Sequence, residues 1–200
     1  MTRLISGSIF CFMNKDDLRK IYLTKRLALT ECEHRELSQK LADLFFQAVD
    51  LSNIKTLHVF LPIESKREPN TWLAIDRIER EFPHIRLVIP RVKGEEMENT
   101  FFEGRHQLEK NRWEILEPKT GTHAEAKEID LVMVPLLAVD KQGHRIGYGK
   151  GYYDRFLKLC RPDCMKIGMS FFEPELSIEE KHIDDVLLNA CLTPNQYYPF

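Results

Sequence analysis

Apolar residues along this chain fall into runs of two different spacings. Between residues 15 and 28, Leu18, Ile21 and Tyr22, with Leu29 just beyond, recur at helical intervals and predict an amphipathic helix. Asn14 stands at its start as a cap, and Asp16 and Asp17 fall in the first turn, where carboxylates favour the exposed N–H groups. Thr30 and Glu33 have the spacing of a capping box. They open a second helix to about residue 49, with Leu37, Leu41, Leu44, Phe45 and Ala48 facing inward. Residues 56–61 and 85–90 are short apolar runs that stop at Pro62 and Pro90, and both predict strands, with a helix over about 72–81 between them. Residues 92–99 predict a polar turn region, followed by a short strand at 100–103. The run 131–139 is almost unbroken in its apolar character, and its β-branched content predicts a strand buried on both faces. Helical spacing returns at Tyr153, Phe156, Leu157 and Cys160. Residues 166–171 read as one more strand, with Gly168 marking a close backbone approach, and the aromatic tail 193–200 is expected to pack against the domain. Strands alternate with helices, so the class is α/β with a largely parallel sheet.

Composition narrows the class. Two hundred residues, 43% hydrophobic, are enough for one domain with a sizeable core, expected over 14–200. Residues 1–13 make a poor signal peptide, and Met13 looks a more natural start, so this stretch is expected to be a disordered or non-native extension. A net charge of −2 argues against a general nucleic-acid binder, and no stretch approaches a membrane span. The cysteines at 11, 32, 160, 164 and 191 are odd in number and contain no CxxC pair, so reduced thiols in the cytoplasm are expected.

The candidate chemistry lies between the run 131–139 and the helix after it. Gly147, Gly149 and Gly151 alternate there with Tyr148 and Lys150, just after Arg145. A strand, a basic glycine loop and a helix start form a plausible anion cradle, because glycine lets the backbone approach phosphate oxygens. Such loops also join strands to helices with no ligand at all. The generic motifs fail: Gly151 follows Lys150 where a P-loop needs Ser or Thr, and Tyr152 stands where a dinucleotide fingerprint needs glycine.

A longer match does hold. Pro135-Leu-Leu-Ala-Val-Asp140 and Gly143-His-Arg-Ile-Gly-Tyr-Gly-Lys-Gly-Tyr-Tyr-Asp-Arg155 resemble the signature of the 5-formyltetrahydrofolate cyclo-ligase family. The resemblance implies a three-layer sheet with helices on both faces, similar to the NagB/RpiA/CoA-transferase-like fold. It also implies ATP-dependent conversion of 5-formyltetrahydrofolate to 5,10-methenyltetrahydrofolate in a monomeric cytoplasmic enzyme, with Mg2+ and without nucleic-acid or membrane partners. On this likeness ATP falls to Lys15, Arg19 and the loop Arg145, Ile146, Gly147, Tyr148, Gly149, Lys150, Gly151, Tyr152 and Tyr153. The folate falls to Leu61, Glu68, Tyr148, Gly149, Lys150, Gly151 and Tyr152, with Lys150 and Arg145 as the catalytic pair. Asp154 and Glu180 are the implied metal acids.

Several choices stay open at this stage. Glu64 rivals Glu68 because the loop after residue 61 is longer than usual for the family, and Asp184 rivals Glu180. His182, beside these acids, reads as a surface residue, and Arg91 is expected at the ligand edge of the sheet. Trp113 either stacks on a flat ligand or fills core, with core favoured, and Glu114 departs from the glycine common at its place. A phosphosugar or CoA-ester enzyme and a non-catalytic nucleotide- or RNA-binding module are the competing classes.

Overall fold

The computed structural model describes residues 14–111 and 114–200; the extension expected at 1–13 and the role of Trp113 lie outside the described residues. Helix α1 (Lys15–Leu27) and helix α2 (Glu31–Ala48) start where the sequence places them. Asn14 accepts from the Asp17 N–H at 2.9 Å, and the Thr30–Glu33 capping box closes in both directions. Strand β1 (Thr56–His58), helix α3 (Trp72–Glu81), β2 (Arg86–Lys93), β3 (Glu96–Phe101) and a ribbon of β4 (Leu108–Lys110) with β5 (Leu116–Pro118) follow. Next come β6 (Leu131–Pro135), a ribbon of β7 (Ala138–Val139) with β8 (Arg145–Ile146), helix α4 (Tyr152–Leu159), and β9 (Met165–Met169), β10 (Ala190–Leu192) and β11 (Tyr197–Pro199).

The main sheet has the order β11-β10-β9-β6-β1-β2-β3. The five inner strands are parallel, and β11 and β3 close the two edges antiparallel. Both faces are covered, as the unbroken apolar runs require. Leu57, Leu87, Leu131, Met133 and Ile167 pack on one side with Leu41 and Phe45 of α2 and Ile75 and Ile78 of α3. Val88, Val132, Val134 and Cys191 pack on the other with Phe156 and Leu157 of α4. Helix α1 lies apart from both layers, its Leu18 and Tyr22 against Leu137, Ala138 and Ile146 of the β7–β8 ribbon.

Two expectations need correction. The run 131–139 is not one strand: β6 ends at Pro135, and the next residues leave the sheet to form β7, with the Leu137 N–H donating to Ile146 O at 2.7 Å. The run is apolar because both pieces are buried. Residues 92–99 are not a turn region but the two arms of a hairpin, tightened at Gly94, whose φ is +63°. Exposed Glu96 and half-buried Glu98 give this edge strand its turn-like composition, while Asn99 and Phe101 are buried. Gly168 is the close approach its sequence suggests, since a Cβ there would lie 2.6 Å from a Leu136 methyl group.

His58 is fully buried on β1, its ring 4.8 Å from that of Phe156. Burial lowers its pKa from 6.5 to about 3, so the ring is neutral when folded. The unfolded chain therefore takes up a proton there between about pH 6.5 and 3 while the folded chain does not. This contribution to stability is full above pH 6.5 and is lost as pH falls toward 3. Urea unfolding followed across this window is expected to show a slope of up to about 1.4 kcal/mol per pH unit from this group, absent in His58→Phe.

Candidate functional site

The site forms where the parallel strands end. The loop after β1, the long passage after β6 and the passage after β9 meet there, with α1 laid across them, which is where open α/β sheets place ligands. Asp140 organises the meeting. Its carboxylate has no solvent exposure and accepts the backbone N–H groups of Gln142, His144 and Ile178, each at 2.9 Å, with His144 Nδ1 3.1 Å from Oδ2. One side chain thus folds the turn before β8 and holds the chain that follows β9.

The glycine loop emerges from β8 in an unusual backbone conformation. Gly149 and Gly151 have φ of +82° and +69°, which side-chain-bearing residues rarely adopt, and Gly151 precedes the first turn of α4. Arg19 lies over the loop, donating from Nε to Gly147 O at 3.1 Å, and a Cβ on Gly149 would sit 3.1 Å from its guanidinium carbon. Lys150 is exposed, and no hydrogen bond or ion pair engages it among the described residues. Ile146 and Leu61 are brought to the same edge, but their side chains are buried in core, which leaves only backbone to face a ligand.

On the side of the β1 loop, Glu68 is 3% exposed, with Oε2 accepting the Ile63 N–H and Oε1 the Tyr148 hydroxyl, both at 2.8 Å. Burial raises its pKa; the Ile63 N–H, the nearby Arg26 guanidinium and the Tyr148 hydroxyl oppose that rise. Glu64, its rival, is exposed at the start of a short 3-10 turn. Arg26 donates to the Tyr148 hydroxyl, to Leu136 O at 3.1 Å and to Lys66 O at 2.8 Å. The Tyr153 hydroxyl is buried with no hydrogen-bond partner among the described residues, and both Glu68 and Arg145 act on it electrostatically. Tyr152 points elsewhere, donating to Gly94 O at 3.1 Å.

Beyond the glycine loop lies a cluster of charges. Arg145 pairs with Asp154 at 2.6 Å, and Asp154 Oδ1 also accepts the Val186 N–H at 3.2 Å. The second Asp154 oxygen has no protein partner among the described residues. Lys15 is 5% exposed, with its ammonium on Asp185 at 2.6 Å and its backbone N–H on Glu180 at 2.9 Å. Glu180 therefore joins the start of α1, whereas Asp184 turns outward to Lys158, and His182 lies 3.3 Å from Glu180 on the surface. No group of three or more His, Cys, Asp or Glu converges among the described residues. The unengaged Asp154 oxygen has the chemistry of a Mg2+ ligand, since that ion takes one or two carboxylates and fills its shell with phosphate and water oxygens. Arg91 stands apart from this cluster, donating to Lys119 O at 3.2 Å.

Sequence reasoning missed Arg26 and Asp185. Arg26 carries a readable signal: it continues the buried stripe of Leu18 and Tyr22 by four residues, a place where a basic side chain needs a reason. Asp185 carries none, since its partner is 170 residues away.

A model of the 5-formyltetrahydrofolate cyclo-ligase family matches residues 12–181. A 5-formyltetrahydrofolate cyclo-ligase of Mycoplasma genitalium is 31% identical over 164 residues, covering 80% of this chain and 86% of its own length. The solution structure of Aquifex aeolicus 5,10-methenyltetrahydrofolate synthetase superposes with a TM-score of 0.81 at 28% identity, covering 94% of this chain and 93% of its own. A Mycoplasma pneumoniae synthetase gives 0.71 at 26% identity, with coverage of 91% and 99%.

Asp140→Ala would leave three backbone N–H groups without their acceptor. At about 1–3 kcal/mol for each such group, the variant is expected to lose at least about 3 kcal/mol in urea unfolding. Hydrogen exchange should accelerate at Gln142, His144 and Ile178 before it does in the central strands.

Proposed function

This chain belongs to the 5-formyltetrahydrofolate cyclo-ligase family, and we propose that it closes 5-formyltetrahydrofolate to 5,10-methenyltetrahydrofolate with conversion of ATP to ADP and phosphate. The observation that carries the reading is the glycine loop itself. It carries Lys150 and Tyr148, with Arg19 on Gly147 O, Arg145 just before it and Glu68 on the Tyr148 hydroxyl, so in this reading one short segment would serve both a polyanion and a polar ring.

The chemistry asks for alignment and charge neutralisation rather than a protein nucleophile. The formyl oxygen attacks the γ-phosphorus and ADP leaves, giving a phosphorylated imidate. N10 then bonds to the formyl carbon and gives up its proton, and the carbon–oxygen bond breaks so that phosphate departs as the ring closes. An amide oxygen leaves poorly, and its phosphorylation solves that difficulty. In this reading Lys150 and Arg145, with the loop N–H groups from Gly147 to Gly151, carry the charge that develops on the transferring phosphoryl group. Lys15 and Arg19 hold the rest of the triphosphate, which requires Lys15 to exchange Asp185 for phosphate oxygen. Glu68 accepts hydrogen bonds from the pterin ring, Tyr148 offers it a flat face, and the Leu61 backbone borders it. Tyr153 and the backbone of Ile146 and Tyr152 complete the loop's contacts. Asp154, and Glu180 at the start of α1, would hold Mg2+, which when bound supplies further neutralisation of phosphate charge.

The same reading takes the protein as a monomeric cytoplasmic enzyme with no nucleic-acid or membrane partner. No helix among the described residues is long and apolar enough to cross a membrane. Family membership sets aside the phosphosugar, CoA-ester and RNA-binding classes.

The test is the near-ultraviolet absorbance of the methenyl product in a mixture of protein, 5-formyltetrahydrofolate and Mg-ATP, against an ATP-free control. An ATP-dependent rise is expected; a flat trace from folded protein would overturn the reading. Lys150→Ala is expected to lower kcat by at least about 100-fold, as removal of a transition-state charge partner does. Its melting temperature should stay unchanged, because Lys150 is exposed and its side chain makes no hydrogen bond or ion pair among the described residues. Near-normal turnover in that variant would remove Lys150 from the mechanism.

A further inference from the structure

We propose that Arg26 is a positioning residue for folate recognition, acting on Glu68 through the Tyr148 hydroxyl. The inference rests on the reading of Glu68 as a pterin contact and adds a residue to it.

Arg26 is 2% exposed and forms no salt bridge among the described residues. A guanidinium at a core position is costly unless its donors are met, and here three loops meet them. Nε donates to Lys66 O in the loop after β1, Nη1 to Leu136 O where the chain leaves β6, and Nη2 to the Tyr148 hydroxyl of the glycine loop. The two carbonyl contacts fix the loops. The third does more. A tyrosine hydroxyl has one proton, and an oxygen that accepts from Arg26 must point that proton elsewhere. It points to Glu68 Oε1, 2.8 Å away. Glu68 Oε2 is occupied by the Ile63 N–H, so the carboxylate is held in one orientation.

The groups facing Glu68 come from four elements. Arg26 comes from α1, His34 from α2 (its ring 2.7 Å from the Glu68 carbonyl), Tyr148 from the glycine loop and Tyr153 from α4. Burial favours the neutral carboxyl, and Arg26 and Tyr148 favour the carboxylate. Loss of Arg26 therefore makes Glu68 protonate at higher pH and frees the Tyr148 hydroxyl to turn.

The test uses full-length Arg26→Gln, Arg26→Lys, Tyr148→Phe and Glu68→Gln proteins. Carbon-13 NMR of protein labelled in glutamate carboxyls reads the Glu68 titration without substrate, assigned by its absence in Glu68→Gln. Steady-state kinetics read KM separately for 5-formyltetrahydrofolate and ATP. In Arg26→Gln the Glu68 inflection is expected to move to higher pH. Its folate KM should rise at least about tenfold, equivalent to ~1.4 kcal/mol, while KM for ATP holds. Arg26→Lys, which keeps the charge, should return the inflection toward the wild-type position. Should Arg26→Gln fail to fold, Tyr148→Phe asks the same question, since it cuts the relay and leaves the two carbonyl contacts of Arg26 in place. An unmoved inflection, or an equal rise in both KM values, overturns the proposal. If Glu68→Gln raises folate KM and Arg26→Gln does not, only the proposal fails. If Glu68→Gln is silent toward folate, the pterin reading of Glu68 fails with it.

Discussion

Removing a carboxylate from water is tolerable only when donors replace that water, and the site depends on how Asp140 meets this requirement. Its donors come from the turn before β8 and from Ile178 in the passage after β9. Two segments remote in sequence must therefore reach one point before either is satisfied. The glycine loop leaves β8 in a fixed direction as a result, and the acidic passage 178–186 is brought over the start of α1. Arg145, Asp154, Lys15 and Asp185 become neighbours through this arrangement, although most of them make no contact with Asp140.

The charged groups of the site are arranged in two manners. Around Glu68 the cation reaches the anion through a shared hydroxyl, so both keep defined orientations while their partners remain neutral dipoles. Around Lys15 and Arg145 the cations sit directly on carboxylates. Direct pairs with partly exposed carboxylates can exchange one anion for another, whereas a buried relay is difficult to rearrange. The division follows the chemistry proposed for the two ends of the cleft: phosphate must arrive and leave by displacement, and a ring must be read by shape and by fixed acceptors.

Local signals in the sequence carried much of this. Asn14 and the Thr30–Glu33 box place two helix starts, and the passage from Pro135 to Arg155 names the loop and its glycines because those residues are demanded by backbone conformation rather than by partners. The failures are of another kind. Residues 92–99 read as a turn because edge strands carry charges on their open side, so composition there reports exposure and not conformation. Residues 131–139 read as one strand because a hydrophobic run reports burial and is silent on where the chain turns. Asp185 and the Tyr148–Glu68 contact are products of tertiary folding across 170 and 80 residues, and no local window contains them.

The order of strands across the sheet has a consequence for synthesis. Strand β1 is flanked by β2 and β6, and the far half of the sheet is assembled from residues 165–199, with β11 covering β10. Strand β10, Ala190–Leu192, is wholly buried in the finished molecule. Until residues 197–199 have emerged from the ribosome, its outer edge lacks the partner that seals it, and an uncapped apolar strand is a template for another chain. The exposed interval for this edge thus runs from the synthesis of β10 to the docking of β11.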